Sequence, residues 1–147
     1  MAVLRKRPPL KIRHQVMQRA RELCEYCYSQ QRYCPSPFAC DHIVPVSLGG
    51  ATSLTNLALA CNGCNGKKGN KVSAPDPLTA IVVPLYHPRH DRWDEHFRWS
   101  NDFQRLVGTS ATGRATVEQL ALNRSNVVNL RRLLITFKEH PPAPILD

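Results

Sequence analysis

Two Cys-x-x-Cys pairs, Cys24/Cys27 and Cys61/Cys64, constrain this chain more than any other feature in it. Each pair can present two thiolates from one tight turn, and the two together can close a tetrahedral four-sulfur zinc site. The pairs are separated by 33 residues, so a shared metal forces the intervening chain to double back. That return path contains Asp41-His42-Ile43-Val44-Pro45, Gly49-Gly50 and Asn56, and it leads through Cys64 into Asn65-Gly66-Lys67-Lys68-Gly69. The competing reading is four buried free cysteines. A thioredoxin-like redox role is disfavoured, because neither pair lies at a strand-to-helix turn of a βαβ pattern. Cys34 and Cys40 fall outside the zinc pattern, and Cys40 is expected in a strand just before Asp41.

A chain of 147 residues is long enough to bury one modest core, so a single compact unit with appendages is expected. Twenty Lys and Arg stand against eleven Asp and Glu, a formal charge of +9, and such a field attracts polyanions, with nucleic acid foremost. The excess concentrates at the start, where Arg5, Lys6, Arg7, Lys11, Arg13, Arg19, Arg21 and Arg32 face only Glu22 and Glu25. Phosphate contact by this arm competes with the plainer reading of a solvated tail. Residues 1–10 form a basic, proline-containing stretch without an apolar secretion segment, so a reducing cytosolic setting is expected rather than a disulfide scaffold. No apolar run approaches the length of a membrane span.

Ile12, Val16, Ala20 and Leu23 recur at helical steps, which predicts an amphipathic helix delivering Cys24 to the metal, with Arg13, Arg19 and Arg21 on its other face. Residues 28–37 read as a loop. Residues 38–44 predict a short strand ended by Pro45 and the Gly49-Gly50 turn, and residues 57–60 predict a second. Residues 65–71 form a helix only if something clamps it, because Gly66 and Gly69 both disfavour one. Residues 74–78, with Pro75 and Pro77, read as a linker. Beyond them come a strand over residues 81–85 and a small hairpin joining Phe97/Trp99 to Leu106. Thr116-x-x-Gln119 has the form of a capping box for a helix through Leu122. Ser125 is expected to cap a longer helix with an apolar stripe of Val127, Leu130, Leu134 and Phe137. The layout is thus a basic arm (1–11), a core (12–73) and a C-terminal extension (74–147) packed on it.

His42 is the candidate general base, since an unperturbed imidazole titrates near ~6.5 and its neutral form can take a proton from water at physiological pH. Asp41 offers a carboxylate and Asn65 an amide oxygen, hard donors suited to Mg2+ or Mn2+. Asn65 can equally be read as a helix N-cap just after Cys64. Successive strand residues point to opposite faces, so Asp41 and His42 serve one site only if the strand ends or twists there. Lys67 and Lys68 can meet phosphates or simply be solvated. His87, His90 and His96 lie beside Trp93, Phe97 and Trp99 and read as the edge of a hydrophobic cluster.

The succession Cys-x-x-Cys, Asp-His-Ile-x-Pro, Gly-Gly, Asn-Leu and Cys-x-x-Cys-Asn-x-x-Lys resembles the HNH endonucleases, specifically their zinc-stapled, freestanding bacterial and phage type. The matching positions are Cys24/Cys27, Asp41 to Pro45, Gly49-Gly50, Asn56-Leu57, Cys61/Cys64, Asn65 and Lys68, within residues 20–72. The resemblance implies an α+β fold built on a ββα-metal (His-Me finger) core with a four-cysteine zinc site and flanking helices. It implies a metal-dependent hydrolase of DNA phosphodiester bonds, with His42 as base and Mg2+ or Mn2+ on Asp41 and Asn65. Asn56, at the middle letter of the motif, orients the His42 loop, and Lys68 lies at the family's lysine position. Asn65 stands where the last letter is often His, which favours oxygen-loving metals. Phosphate contacts are expected from Arg5, Lys6, Arg7, Lys67 and Lys68. RNA is a less favoured substrate, and the rival class is a non-catalytic zinc module that binds nucleic acid.

Overall fold

In a computed structural model describing residues 7–145, the first helix, α1, spans Leu10–Arg19. It ends earlier than its apolar spacing predicts. Arg21 and Glu22 both adopt left-handed backbone (φ 55° and 58°), which turns the chain out of the helix two residues before the first cysteine pair. Leu23 then bridges Gln30, and the Cys24 amide donates to Ser29 O, so Cys24 and Cys27 are presented by a tight loop rather than by a helix end.

Strand β1 (Ala39–His42) pairs antiparallel with β2 (Leu57–Ala60), setting Asp41 opposite Ala58 and His42 opposite Leu57. The strand is shorter than residues 38–44 because the backbone leaves the ladder at His42 and bonds elsewhere. Pleating divides β2 between two apolar groups. Leu57 and Leu59 pack under α1 with Val16 and Ala20, while Ala58 and Ala60 face the main core. Arg19 secures α1 to the same strand, donating to Leu54 O (2.8 Å) and Leu57 O (2.7 Å).

Helix α2 (Asn62–Lys68) begins at the second cysteine pair, and Cys61 is its N-cap, with Sγ accepting from the Cys64 amide. Asn65 therefore sits inside the helix, and its reading as an N-cap is corrected. The helix starts three residues earlier than expected because the cap is a sulfur.

Residues 74–78 are not a linker. Strand β3 (Ser73–Pro75) pairs with β4 (Val82–Pro84), and the next residue, Asp76, is fully buried. Its carboxylate accepts from Arg114 Nε (2.9 Å) and a terminal nitrogen (2.8 Å), a fork-to-fork pair that docks the segment onto a later helix. A short helix α3 (Trp93–His96) runs into β5 (Phe97–Trp99), which pairs with β6 (Leu106–Gly108) as the expected hairpin.

Helix α4 (Ala111–Gln119) is capped by Ser110, whose Oγ accepts from the Gly113 amide at 2.9 Å. The capping box expected at Thr116 is thus displaced to Ser110. Thr116 is buried in mid-helix, donating to Thr112 O and accepting from the Tyr86 amide. Gly113 is needed there, because a Cβ would run into the His96 carbonyl. Helix α5 (Ser125–Thr136) follows the expected span, but Arg124 is its N-cap position and no side chain caps it. Val127 and Leu134 are buried, whereas Phe137 is 67% exposed and leaves the stripe.

The main core runs through both halves of the chain: Tyr26, Ile43 and Ala58 share it with Leu85, Phe97, Leu106, Leu120 and Leu122. The fold is the expected α+β class, with short antiparallel strand pairs and a four-cysteine cluster. Among the described residues no helix is long and apolar enough to cross a membrane.

Candidate active site

Cys24, Cys27, Cys61 and Cys64 are brought together with all four Sγ atoms within 4.8 Å of one another. Cys27 and Cys61 are 3.7 Å apart, close to the ~3.8 Å tetrahedron edge that follows from a Zn–S bond of about 2.3 Å. All four are buried, and the cluster fits a structural zinc with no position left over for a water or substrate. Hydrogen bonds from Cys24, Cys27 and Cys64 hold Cys61 far below the usual thiol range, while burial pushes Cys24 up.

Two arginines of the extension reach this cluster. Arg124 donates to Cys61 Sγ (3.3 Å) and Cys64 Sγ (3.5 Å), and Arg131 donates to Cys27 O (3.2 Å) while lying over the Trp99 ring. Burial works against the charge of Arg124, but the sulfurs of Cys64, Cys27 and Cys61 outweigh it and hold the guanidinium above its usual value. A four-thiolate zinc centre carries net charge −2, which these cations offset. Neither arginine was foreseen, because nothing local in the sequence ties position 124 to position 61.

The two residues inside the first cysteine pair also act. The Glu25 carboxylate accepts from the Leu59 amide (2.8 Å) and from Arg89, fastening the cysteine loop to β2. The Tyr26 hydroxyl donates to Asp41 Oδ2 at 2.8 Å, which joins the zinc loop to the strand carrying the Asp-His pair. Sequence spacing marks the cysteines and is silent about the two side chains between them.

Asp41 is 4% exposed and Lys68 2%. Lys68 Nζ stands 3.3 Å from Asp41 Oδ1, 3.2 Å from Oδ2 and 3.1 Å from His42 O. Expected at a phosphate, Lys68 is instead turned inward as the counter-ion of Asp41. Lys67 next to it is exposed. Burial pushes the Asp41 carboxyl above its usual range, and Lys68 and Tyr26 pull against that push.

His42 is half-buried, and its Nε2 lies 2.8 Å from Thr52 Oγ1. It is the last residue of β1, so the strand does end where the Asp-His pair needs it to. Beyond it, Ile43 N donates to Asn56 O and Val44 N to Asn56 Oδ1, both at 2.9 Å. The Asn56 amide donates in turn to Val44 O (2.9 Å) and Ala51 O (2.8 Å), so one carboxamide pins both ends of the loop after His42. Gly50 makes this closure possible, since a Cβ there would collide with the Val44 carbonyl and the Asn56 amide. Thr52 was not anticipated; no motif letter marks it.

Asp41, His42 and Asn65 all line one cavity of about 640 Å³. Strand β1 forms its floor, α2 contributes Asn62 and Asn65, and α1 contributes Arg13, His14 and Met17. Arg7 is on the rim, while Arg5 and Lys6, also expected to contact phosphates, lie outside the described residues. Asp41 and Asn65 approach from different elements and offer only oxygen, which suits a hard divalent ion that fills its shell with water and phosphate. Such an ion has to share the Asp41 carboxylate with Lys68.

The stacked pair His87/His90 (3.9 Å) and His96, which is 2.6 Å from Ser110 Oγ, lie elsewhere, in loops and caps of the extension. The cavity and the sulfur cluster thus define a two-stranded hairpin and helix closed by four thiols, with an Asp-His pair at the strand end. Residues 24–71 match the family described as HNH endonuclease, and that match points to a nuclease-type function on nucleic acid. No curated protein and no solved structure matches the chain.

Proposed function

We propose that this protein is a metal-dependent endonuclease that hydrolyses DNA phosphodiester bonds by attack of a water. The observation that carries the reading is the convergence of Asp41, His42 and Asn65 on one cavity beside a cluster of four thiols.

His42 is the general base. The 2.8 Å contact between its Nε2 and Thr52 Oγ1 holds the imidazole in place while it takes the proton from the attacking water. Asn56 fixes the loop that follows and so fixes the ring's approach. Asp41 and Asn65 hold Mg2+ or Mn2+, which when bound stabilises the charge that develops on the phosphoryl group and the departing 3′ oxygen. Tyr26 and Lys68 keep the Asp41 carboxylate in place from behind. Lys67 and Arg7 remain as exposed phosphate contacts. The zinc is structural, since its four thiolates leave no reactive position. The products are a 5′-phosphate and a 3′-hydroxyl.

The test is nicking of supercoiled plasmid in Mg2+ or Mn2+. The parent protein is expected to cut, and His42→Ala to lose about 10²–10⁴ of the rate, the usual contribution of a general base. Undiminished cutting by His42→Ala removes His42 as the base. Tight, salt-dependent binding of DNA with no cutting in any divalent metal replaces the enzyme with a zinc-stabilised binding module.

A further inference from the structure

Helix α1 places Leu10, Arg13, His14 and Met17 along the cavity, at spacings of three, one and three residues, which is a single face of a helix. The neighbouring face, Val16 with Ala20 just beyond, is buried on Leu57 and Leu59. The helix is therefore fixed, and one mixed cationic and apolar face is turned towards the Asp41–His42–Asn65 wall. The arginines of the helix and of the turn that ends it are not equivalent. Arg19 is committed to backbone carbonyls of residues 54 and 57, and Arg21 donates to Pro144 O. Among the described residues Arg13 uses only Nε, on Pro8 O at 3.1 Å, which leaves its terminal nitrogens as donors on the cavity side. Leu10, 57% exposed beside it, gives apolar surface of the kind a sugar ring contacts.

We infer that α1 is the second wall of the substrate groove, and that one DNA strand threads between α1 and α2 with Arg13 and His14 on phosphates flanking the scissile one. This rests on the nuclease reading and adds to it a path for the strand and phosphate contacts on α1. The cavity's volume, about 640 Å³, suits a short stretch of one strand rather than a duplex.

Binding of a short single-stranded DNA by anisotropy, measured as a function of salt in the His42→Ala background without divalent metal, tests it. Arg13→Gln is expected to weaken binding and to reduce the slope of log K against log salt by about 0.7, the value of one phosphate contact on single-stranded DNA. Leu10→Arg, on the same exposed face, is expected to steepen the slope by a similar amount. Arg98→Gln, an exposed arginine of β5 that does not line the cavity, makes the same change in net charge and is expected to leave the slope unchanged. In the otherwise unaltered enzyme, Arg13→Gln is expected to raise KM with kcat within about twofold. Equal slopes for Arg13→Gln and Arg98→Gln, with Leu10→Arg also flat, overturn the groove wall. In that case plasmid cutting by the parent and its loss in His42→Ala still stand. A parent protein that neither binds nor cuts DNA overturns both.

Discussion

The two halves of this molecule are held together by different means. Between residues 24 and 71 the longest regular elements are two strands of four residues and a helix of seven, none of which persists alone in water. Beyond the side chains they lend to the shared core, they are held by four converging sulfurs, by the Asp41–Lys68 pair and by the Glu25 and Asn56 contacts to backbone. From residue 73 onward, helices of nine and twelve residues close over buried Phe97, Leu106, Leu120 and Leu122 in a conventional apolar core. That half sends Arg89, Arg124 and Arg131 back to the first, to Glu25, to two zinc-site sulfurs and to the Cys27 carbonyl. The contrast shows a division of labour. The half that carries the chemistry is stabilised from behind, which leaves the front of β1 and α2 open as a cavity instead of filled as core.

The largest effect expected is loss of the metal. Cys61→Ser, or exhaustive chelation of the native protein, should unfold residues 24–71, since a structural zinc supplies on the order of 10 kcal/mol to a small domain that folds around it. Far-UV circular dichroism alongside zinc content checks this, and the comparison sharpens if tryptophan fluorescence from Trp93 and Trp99 is retained longer than the signal of the first half. Simultaneous loss of both would mean that the two cores are one cooperative unit, as the shared cluster around Tyr26 and Leu122 allows.

Next comes Lys68→Met. Removing the ammonium leaves the Asp41 carboxylate buried beside only the Tyr26 hydroxyl, and breaking a buried pair from one side costs about 3–5 kcal/mol. Denaturant unfolding should show that loss. A variant as stable as the parent would mean that Asp41 is solvated and that Lys68 was never its counter-ion.

The zinc cluster and the ββ hairpin were legible because the information is local and periodic: cysteine spacing, an alternating strand, a proline and two glycines. The roles of Tyr26, Thr52, Arg89 and Arg124 were not, since each acts on a partner 10 to 64 positions away and any surface residue of the same type reads identically. Lys68 misled for a related reason. A lysine after a helix start ordinarily faces water, and only the pairing of β1 with α2 turns this one inward. The linker misled because Pro75 and Pro77 break regular structure without preventing burial: β3 is an edge strand, and Asp76 between them finds Arg114.

A smaller change should follow from Arg124→Met. Outer partners of a metal's ligands typically contribute 10–100-fold to its affinity, and here the guanidinium bonds two sulfurs while filling the space over Gly63. Zinc transfer to a colorimetric chelator should speed up by about that factor, with Arg124→Lys intermediate. Unchanged release would make Arg124 a packing residue of α5 and loosen the link between the halves.

The smallest effect is expected inside the second half, at Asp76. Asp76→Asn keeps the shape and some hydrogen bonds of the pair with Arg114 and removes only the charge. The Arg114 hydrogen bonds hold the Asp76 carboxyl well below the usual carboxylate range. Its stabilisation is therefore fully present above the unfolded value of about 3.9 and is lost only as pH falls below that, towards the lower folded value. Thermal melts of the parent and Asp76→Asn should thus differ by a constant amount from pH 7 down to pH 5, with both proteins zinc-loaded. A difference that already fades across that range would assign the effect to a group titrating higher, and would place the pH sensitivity in the zinc-held half rather than in this buried pair.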